Sequence, residues 1–357
     1  VTWSFNIYNT QTGTHELTLP EPSGADWNAR LSGKGIGRHA FPLYGAGVSR
    51  DDIRELTRGN TYTITQEWGD HVAYAGVIQR PWYRKKTRTL EVASIELRGA
   101  YFNDRMLYGV PFYHPTNSVL TLTSKSYSGA VRAVIDTAIS DLGWELPIDL
   151  PADGSGSFSA DWKFNDRLKV EDHLHQIEDD GCEVYLRPYK DGTALRWETI
   201  VEAPGVQLGT ATELDLAGDD SPVLDLEVYT DYVRQMTGVL AFGKGGSSAP
   251  TAYAPFMGVP LGLSVRDTWV TFSDIEDTTR LQQAADTLYN VLHFPTEVMS
   301  FGLHIFPDGP EFTAPGRLLE LTSTDDEYIL DGPYTKRVVG LRGGLGSTVT
   351  PEVQDAS

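Results

Sequence analysis

Apolar and polar residues alternate with a period of two through much of the first hundred positions, the mark of strands with one buried face. SFNIYN and HELTLP come first, and a stretch around Gly33, Gly35, Gly37, Gly45 and Gly47 then reads as a glycine-rich loop. TYTITQEW and HVAYAGVIQ flank Gly69-Asp70, as expected of a β-hairpin. In TRTLEVASIELRG, Leu90 and Val92 occupy one phase, Ile95 and Leu97 the other. That slip predicts a β-bulge at Ala93-Ser94, with all four side chains turned inward. Three consecutive strands with a bulge predict a closed or nearly closed barrel.

The period then lengthens. Val131, Val134, Ile135, Ala138, Ile139 and Leu142 recur at helical spacing, with Ser128 as cap and Gly143 as stop. A second helix is expected from Asn165 or Asp166 to Asp180, ending at Gly181. Its apolar stripe (Val170, Leu174, Ile177) is narrow, which places it on a surface. CEVYLRP and TALRWETI form a hairpin around Lys190-Asp191-Gly192. From about residue 206 strands return as VLDLEVYT, RQMTGVLAFG and DTWVTF. A helix follows with a capping box at Ser273 and Glu276 and a stripe of Leu281, Ala284, Ala285, Leu288 and Leu292. RLLELTS and YILDGPYTKRVVGLRGG supply the last strands.

The fold class is therefore mainly β with a small α+β part. Two tube-like β-barrel domains, residues 1–122 and 206–350, flank a helix-containing middle domain, 123–205, and residues 351–357 form a frayed tail.

Composition narrows the functions. A length of 357 residues exceeds one ordinary core. No apolar run approaches the roughly 18 residues needed to span a bilayer, so no direct membrane insertion is expected. VTWSFNIYNT lacks the basic-then-apolar order of a secretory leader. A single cysteine, Cys182, excludes an intrachain disulfide and a cysteine metal cluster. The formal net charge of −20 opposes gripping nucleic acid or an anionic lipid surface. Solubility is the simpler account of it, and it does not oppose a channel wall past which a polyanion slides.

No catalytic constellation is legible, and no cofactor is expected. SGKGIG (Ser32–Gly37) and FGKGG (Phe242–Gly246) lack the Ser or Thr that follows the lysine of a phosphate loop. His173 and His175, two apart on a helix, point to different sides and cannot chelate one metal; with Asp172 and Glu178 they read as a solvated face. Asp219-Asp220, Glu178-Asp179-Asp180 and Asp325-Asp326-Glu327 read as solvated turns, and Gly154-Ser155-Gly156 as a linker. One contrast stands out: Arg80, Arg84, Lys85, Lys86 and Arg88 cluster inside an acidic protein. They are either an exposed strand connection, whose charges discourage edge pairing, or a docking patch for an acidic partner or the acidic face of a neighbouring copy.

The order of four stretches carries a resemblance: TYTITQEW through YFNDRML, YSGAVRAVIDTAISDLGW, DHLHQIEDDGCEVYLRPYKDGTALRWET, and APGRLLELTS through TKRVVGLRGG. In these the chain resembles the tail-tip hub, or tail-associated minor tail, proteins of long-tailed (siphovirus-like) phages, especially those infecting actinobacteria. Their architecture is related to contractile-tail baseplate hubs. The resemblance implies a non-enzymatic structural virion protein at the distal end of the tail, assembled in the host cytoplasm. It implies a homotrimer whose paired barrels continue the tail tube as a pseudo-hexameric ring. A distal tail protein would sit above, a tape-measure protein inside, and receptor-binding or fibre proteins around or below. Phage DNA would pass through without specific binding. Two other readings stay open: a hexameric distal tail protein, and a carbohydrate-binding tail adhesin that uses some of the 8 Trp and 17 Tyr as stacking platforms.

Overall fold

The alternation between Tyr62 and Leu97 is realised as the centre of a large twisted sheet. The computed structural model describes residues 3–44, 47, 49–107, 119–140, 145–163, 169–218, 221–245, 249–255, 264–273, 275–305 and 314–356. Strands β1 (Trp3–Asn9), β2 (His15–Leu19), β3 (Gly24–Arg30) and β4 (Ile36–Pro42) precede a short helix, α1 (Arg50–Leu56). Next come β5 (Tyr62–Trp68), β6 (His71–Arg84) and β7 (Thr89–Glu96), and a π-helical turn at Arg98–Phe102. The middle holds β8 (Val119–Lys125), α2 (Tyr127–Ile139), β9 (Ile148–Asp149), β10 (Phe158–Lys163), α3 (Val170–Asp179), β11 (Glu183–Asp191) and β12 (Ala194–Glu202). After it run β13 (Leu208–Asp215), β14 (Val223–Asp231), β15 (Gly238–Phe242), β16 (Thr251–Ala254) and β17 (Asp267–Thr271). Helix α4 (Thr278–His293), β18 (Thr296–His304), β19 (Arg317–Ser323), β20 (Gly332–Gly343) and β21 (Thr348–Asp355) complete the series. The protein is mainly β with a small α+β part.

The chain divides into two compact units, Val1–Asp225 with Phe301–Ser357, and Leu226–Ser300. This departs from the three consecutive domains expected. One hydrogen-bonded sheet, in the order β14-β18-β21-β20-β3-β4-β7-β6-β5-β1-β2, takes strands from both expected barrel domains. Nor is 351–357 a frayed tail, because Pro351 to Asp355 continue β21 and pair with β20 from Leu341 to Lys336.

In the larger unit the sheet curls. Four strands separate β5 from β20, yet the Gln66 side chain on β5 donates to Gly344 O, and the Trp3 indole to Gly346 O. Phe5, Ile7, Phe41, Ile64, Ile78 and Val92 fill one side of this curl. On the other face Tyr8, Val72, Ala75 and Val77 pack with α2, α3 and the β11–β12 hairpin. Burial on both faces explains why β5 and the first half of β6 are apolar or threonine-rich at nearly every position. Gly69 and Gly192, at φ 62° and 60°, make the two tight turns read from sequence.

Several expectations change on contact with these strands. There is no bulge at Ala93-Ser94: β7 keeps strict alternation, and Leu90, Val92, Ser94 and Glu96 all face inward. The register shift lies on the partner strand, between Ile78 and Arg80. Polar Ser94 is accepted inside because its hydroxyl meets Tyr74 Oη at 3.0 Å. The glycine-rich stretch is partly strand, since Gly37 belongs to β4, where a Cβ would strike the Tyr74 ring; Gly45 lies outside the described residues. Helix α2 starts two residues early, capped by Ser126, whose Oγ accepts from Gly129 N. The expected stop at Gly143 and the expected start of α3 lie outside the described residues. Helix α4 is capped by Asp277, whose carboxylate accepts from Arg280 N, in place of the Ser273–Glu276 box.

Helix α3 is not a surface helix. Val170, Leu174 and Ile177 are fully buried, together with Glu171 and His173. The Arg98 guanidinium, with no exposed side-chain surface, makes this possible: its Nε donates to Glu171 at 2.9 Å and its Nη2 to Glu178 at 2.6 Å. Its Nη1 also reaches Val184 O on β11 at 2.8 Å.

The corrected register has a measurable consequence. Ile78, fully buried in the curl, is expected to cost about 2–5 kcal/mol on replacement by alanine. Ile95, on the opposite and only partly buried face of β7, should cost less. Urea unfolding of Ile78→Ala and Ile95→Ala compares them; an equal or larger loss at Ile95 would contradict this register.

Candidate interaction surface

The β6–β7 hairpin changes character at its register shift. Up to Ile78 the residues of β6 after His71 are buried; from Gln79 to Arg88 every residue is exposed. The pairing continues through Trp82↔Glu91 and Arg84↔Thr89, so this is an ordered hairpin arm. Lys85 to Arg88 make its turn, with Arg88 at φ 52° and its carbonyl accepting from Leu43 N beside β4. All five basic residues singled out in the sequence lie along one exposed arm, Arg80 at its base and Arg84, Lys85, Lys86 and Arg88 at its tip.

The arm also carries aromatic surface that the sequence reading missed. Trp82 is 56% exposed, Tyr83 50%, and Tyr44, beside the turn, 80%. The Arg84 guanidinium lies 4.8 Å from the centre of the Trp82 ring, and that of Arg88 5.5 Å from Tyr44. Arg84 also pairs with Glu91 at 3.0 Å. Among the described residues Arg80, Lys85 and Lys86 make no ion pair. The signal was present in QRPWYRKK, where alternation stops and large aromatics stand next to cations. Cations laid over aromatic rings fit an anionic or aromatic protein surface. They supply no nucleophile and no acid–base pair.

The smaller unit has its own exposed face. Here β15 lies between β16 and β17, with α4 packed through Leu281 and Ala285 against Ala241, Ala252 and Ala254. On the other face the register aligns Tyr253, Leu240 and Trp269 in one cross-strand row. Trp269 is 71% exposed. Thr237, Asp267 and Thr268 join this row around a shallow depression.

The histidines and carboxylates form no metal centre: among the described residues no group of three or more His, Cys, Asp or Glu could hold a metal ion. His173 is buried, its ring 4.4 Å from Trp162, and does not belong to a solvated face. His175 is half-exposed and bridges Glu171 and Glu178, at 3.0 Å each. Asp219 and Asp220 lie outside the described residues. Cys182 is buried, and burial pushes its thiol up to about 12, so it is a poor nucleophile. No described helix is long and apolar enough to cross a membrane.

No protein-family model matches the chain, and no curated protein matches it in sequence. Solved structures do. A tail protein from Neisseria meningitidis superposes with a TM-score of 0.60 at 14% identity, over 100% of this chain and 97% of its own. The 43 kDa tail protein of prophage MuSo2 from Shewanella oneidensis gives 0.63 at 11% identity, over 99% and 98%. A component of the E. coli type VI secretion system, itself similar to the phage T4 tail proteins gp27 and gp5, gives 0.52 at 10% identity, over 96% and 75%. The fold is that of phage tail proteins. Both tail-protein matches run essentially end to end, so the fold they share includes the curled sheet, the middle helices and the smaller unit.

One buried group sets a pH dependence for this scaffold. Glu96 lies under the β3–β4 turn, accepting from Gly35 N at 2.5 Å and Arg30 N at 3.3 Å. Burial raises its pKa to about 8 against the opposing pull of these amides and Arg30. The folded protein thus holds a proton that the unfolded chain loses near pH 4.5. Its contribution is fully present below pH 4.5 and is lost as pH rises to about 8. Glu96→Gln is expected to flatten the decline of unfolding free energy across that window. Identical pH profiles for wild type and variant would show that Glu96 is charged in the fold.

Proposed function

We propose that this chain is a structural, non-enzymatic tail-tip hub of a siphovirus-like phage. In this reading it is a homotrimer whose curled sheets form tube-like barrels and continue the tail tube as a ring. The distal tail protein docks above and the tape-measure protein enters the lumen. Receptor-binding or fibre proteins attach outside, where α2 and the β11–β12 hairpin pack together. The observation that carries the reading is the end-to-end likeness to two tail proteins at TM-scores of 0.60 and 0.63. The curl of the sheet supports it, since a strand array bent far enough for β5 to reach the end of β20 has a shape from which a tube wall can be built. An actinobacterial host is the finer form of the same proposal. It rests on the four sequence stretches alone.

Charge fits this role. Phage DNA must leave past the hub, and carboxylates along a narrow channel keep a polyanion from sticking. With 49 acidic against 29 basic residues, the inner wall is expected to be net negative, and the basic arm to point away from it toward a protein. An inner wall rich in Arg and Lys, or salt-sensitive DNA binding by the purified protein, would contradict this.

A second reading, a carbohydrate-binding tail adhesin, is favoured by one observation. Trp269 and Tyr253 stand exposed on the open sheet face of the smaller unit, where aromatic rings can stack on sugars. Glycan-array binding abolished by Trp269→Ala would support it. The hub reading expects three copies by native mass spectrometry. Six copies would favour a distal tail protein instead, and a stable monomer at all concentrations would sink the hub.

A further inference from the structure

The basic arm has a counterpart elsewhere on the same chain. Between β19 and β20, residues 324–331 read TDDEYILD and carry Asp325, Asp326, Glu327 and Asp331 without a single cation. All four acids are exposed, and so are Tyr328 (71%) and Leu330 (78%), an unusual exposure for large apolar side chains. Among the described residues no Lys, Arg or His pairs with these carboxylates. Asp326 accepts from Tyr328 N and Ile329 N, and Asp331 from Asp325 N, so the loop holds a defined shape. The arm from Arg80 to Arg88 carries five cations and no acid, while the rest of the chain amounts to −20 − 5 = −25. Each tip thus offers what the other lacks: cations and aromatic rings on one, carboxylates with a tyrosine and a leucine on the other.

The register shows that the two tips cannot meet within one chain. Pro42 pairs with Thr89 and Ile36 with Ile95, so the arm lies at the end of the sheet where β4 finishes. Gly24 pairs with Ala40 and Trp27 with Gly37, so β3 runs away from that end. Gly343 pairs with Trp27 and Gly340 with Arg30, so the start of β20 at Gly332 lies farther out still in the same direction. At a rise of about 3.3 Å per residue the tips are on the order of 50 Å apart along the strands.

We infer that the arm of one copy docks on the 324–331 loop of a second copy, through Arg84, Lys85 and Lys86 against Asp325 and Glu327, with Trp82, on the same face as Arg84, against Tyr328 and Leu330. Two different patches at opposite ends make this a heterologous, head-to-tail contact, which closes a ring when the rotation permits. The inference deepens the hub reading by naming the contact between its subunits.

Charge reversal on the full chain tests it. One variant carries Arg84→Glu, Lys85→Glu and Lys86→Glu; a second carries Asp325→Asn and Glu327→Lys, leaving Asp326 to hold the loop. Asn is used at 325 because that residue sits at φ 55°. All substituted side chains are exposed, so unchanged thermal unfolding of dilute protein is expected; if the triple variant fails to fold, Lys86→Glu alone replaces it. Each variant is expected to weaken self-association at least tenfold by analytical ultracentrifugation, and a chain combining the single swaps Lys86→Glu and Glu327→Lys, which keeps the arm net positive and the loop net negative, to recover association relative to Lys86→Glu alone. Unaltered association in either variant, or no recovery in the combined chain, overturns the contact. A trimer indifferent to the swaps would sink the contact and leave the hub standing. A six-copy ring that responds to them would keep the contact and sink the hub, and a monomeric wild type would end both.

Discussion

A guanidinium with no exposed surface must be surrounded by acceptors, and around Arg98 the acceptors come from two other parts of the chain. Glu171 and Glu178 belong to α3, Val184 O to β11, and Arg98 itself opens the π-helical turn after β7. Burial alone would lower its pKa, but Glu178 and Glu171 outweigh that and hold the charge firmly in place. Lys34, from the β3–β4 turn, adds a second cation to Glu171 at 2.8 Å. Such a cluster adds little net stability compared with an apolar filling, yet removing one member costs about 3–5 kcal/mol because the others stay buried and unpaired. It therefore acts as a registry device, accepting one placement of α3 and β11 on the sheet. A second tie, Lys190 Nζ to Glu67 at 3.3 Å, fixes the far end of the β11–β12 hairpin on β5.

With one face of the sheet locked to the helices and the other wrapped around its own apolar interior, the central strands have no freedom to slip. A slip of one residue would exchange Ile64 and Ile78 for threonine and glutamine in the curl and present the wrong face to α2. Rigidity at the centre lets the ends project. The arm beyond Gln79 and the loop before Gly332 are extensions of strands whose inner halves are fully paired, so their side chains keep fixed positions without a core of their own. Strand ends of this kind can vary in sequence without disturbing the interior.

Much of this was legible along the chain, and the failures share a cause. Strands β6, β11 and β12 and helices α2 and α4 follow from periodicity because their buried positions are mainly apolar, and β5 because its threonines and isoleucine favour a strand. The reading of β7 failed at Ser94 and Glu96, polar residues that face inward because Tyr74 and the amides of Arg30 and Gly35 receive them. Periodicity scores such positions as outward and invents a bulge to save the pattern. Helix α3 failed in the same way: Glu171 and His173 widen the buried stripe, but only Arg98 and Trp162, far away in sequence, make their burial tolerable. The domain boundaries were missed because long-range strand pairing leaves no local mark. Nothing near Trp27 announces that it will lie beside Gly343. The basic cluster was visible as residues, but its aromatic half was hidden among tyrosines and tryptophans that elsewhere, as at Tyr185 and Trp197, do fill the core.

The acidity of the chain and its basic arm act over different distances. Two copies carrying −20 each repel as they approach, but at physiological salt the repulsion is screened beyond about 8 Å. Within that range only local charge counts, and acids outnumber cations 49 to 29. The arm is the main exception, a concentrated run of cations in a chain that otherwise amounts to −25. General acidity thus penalises wrong contacts, while a small basic tip rewards the few in which it meets carboxylates. Desolvation then divides those few: a tip bearing Trp82 and Tyr83 gains most where apolar side chains lie beside the acids. The 324–331 loop, with Tyr328 and Leu330 beside its acids, offers both.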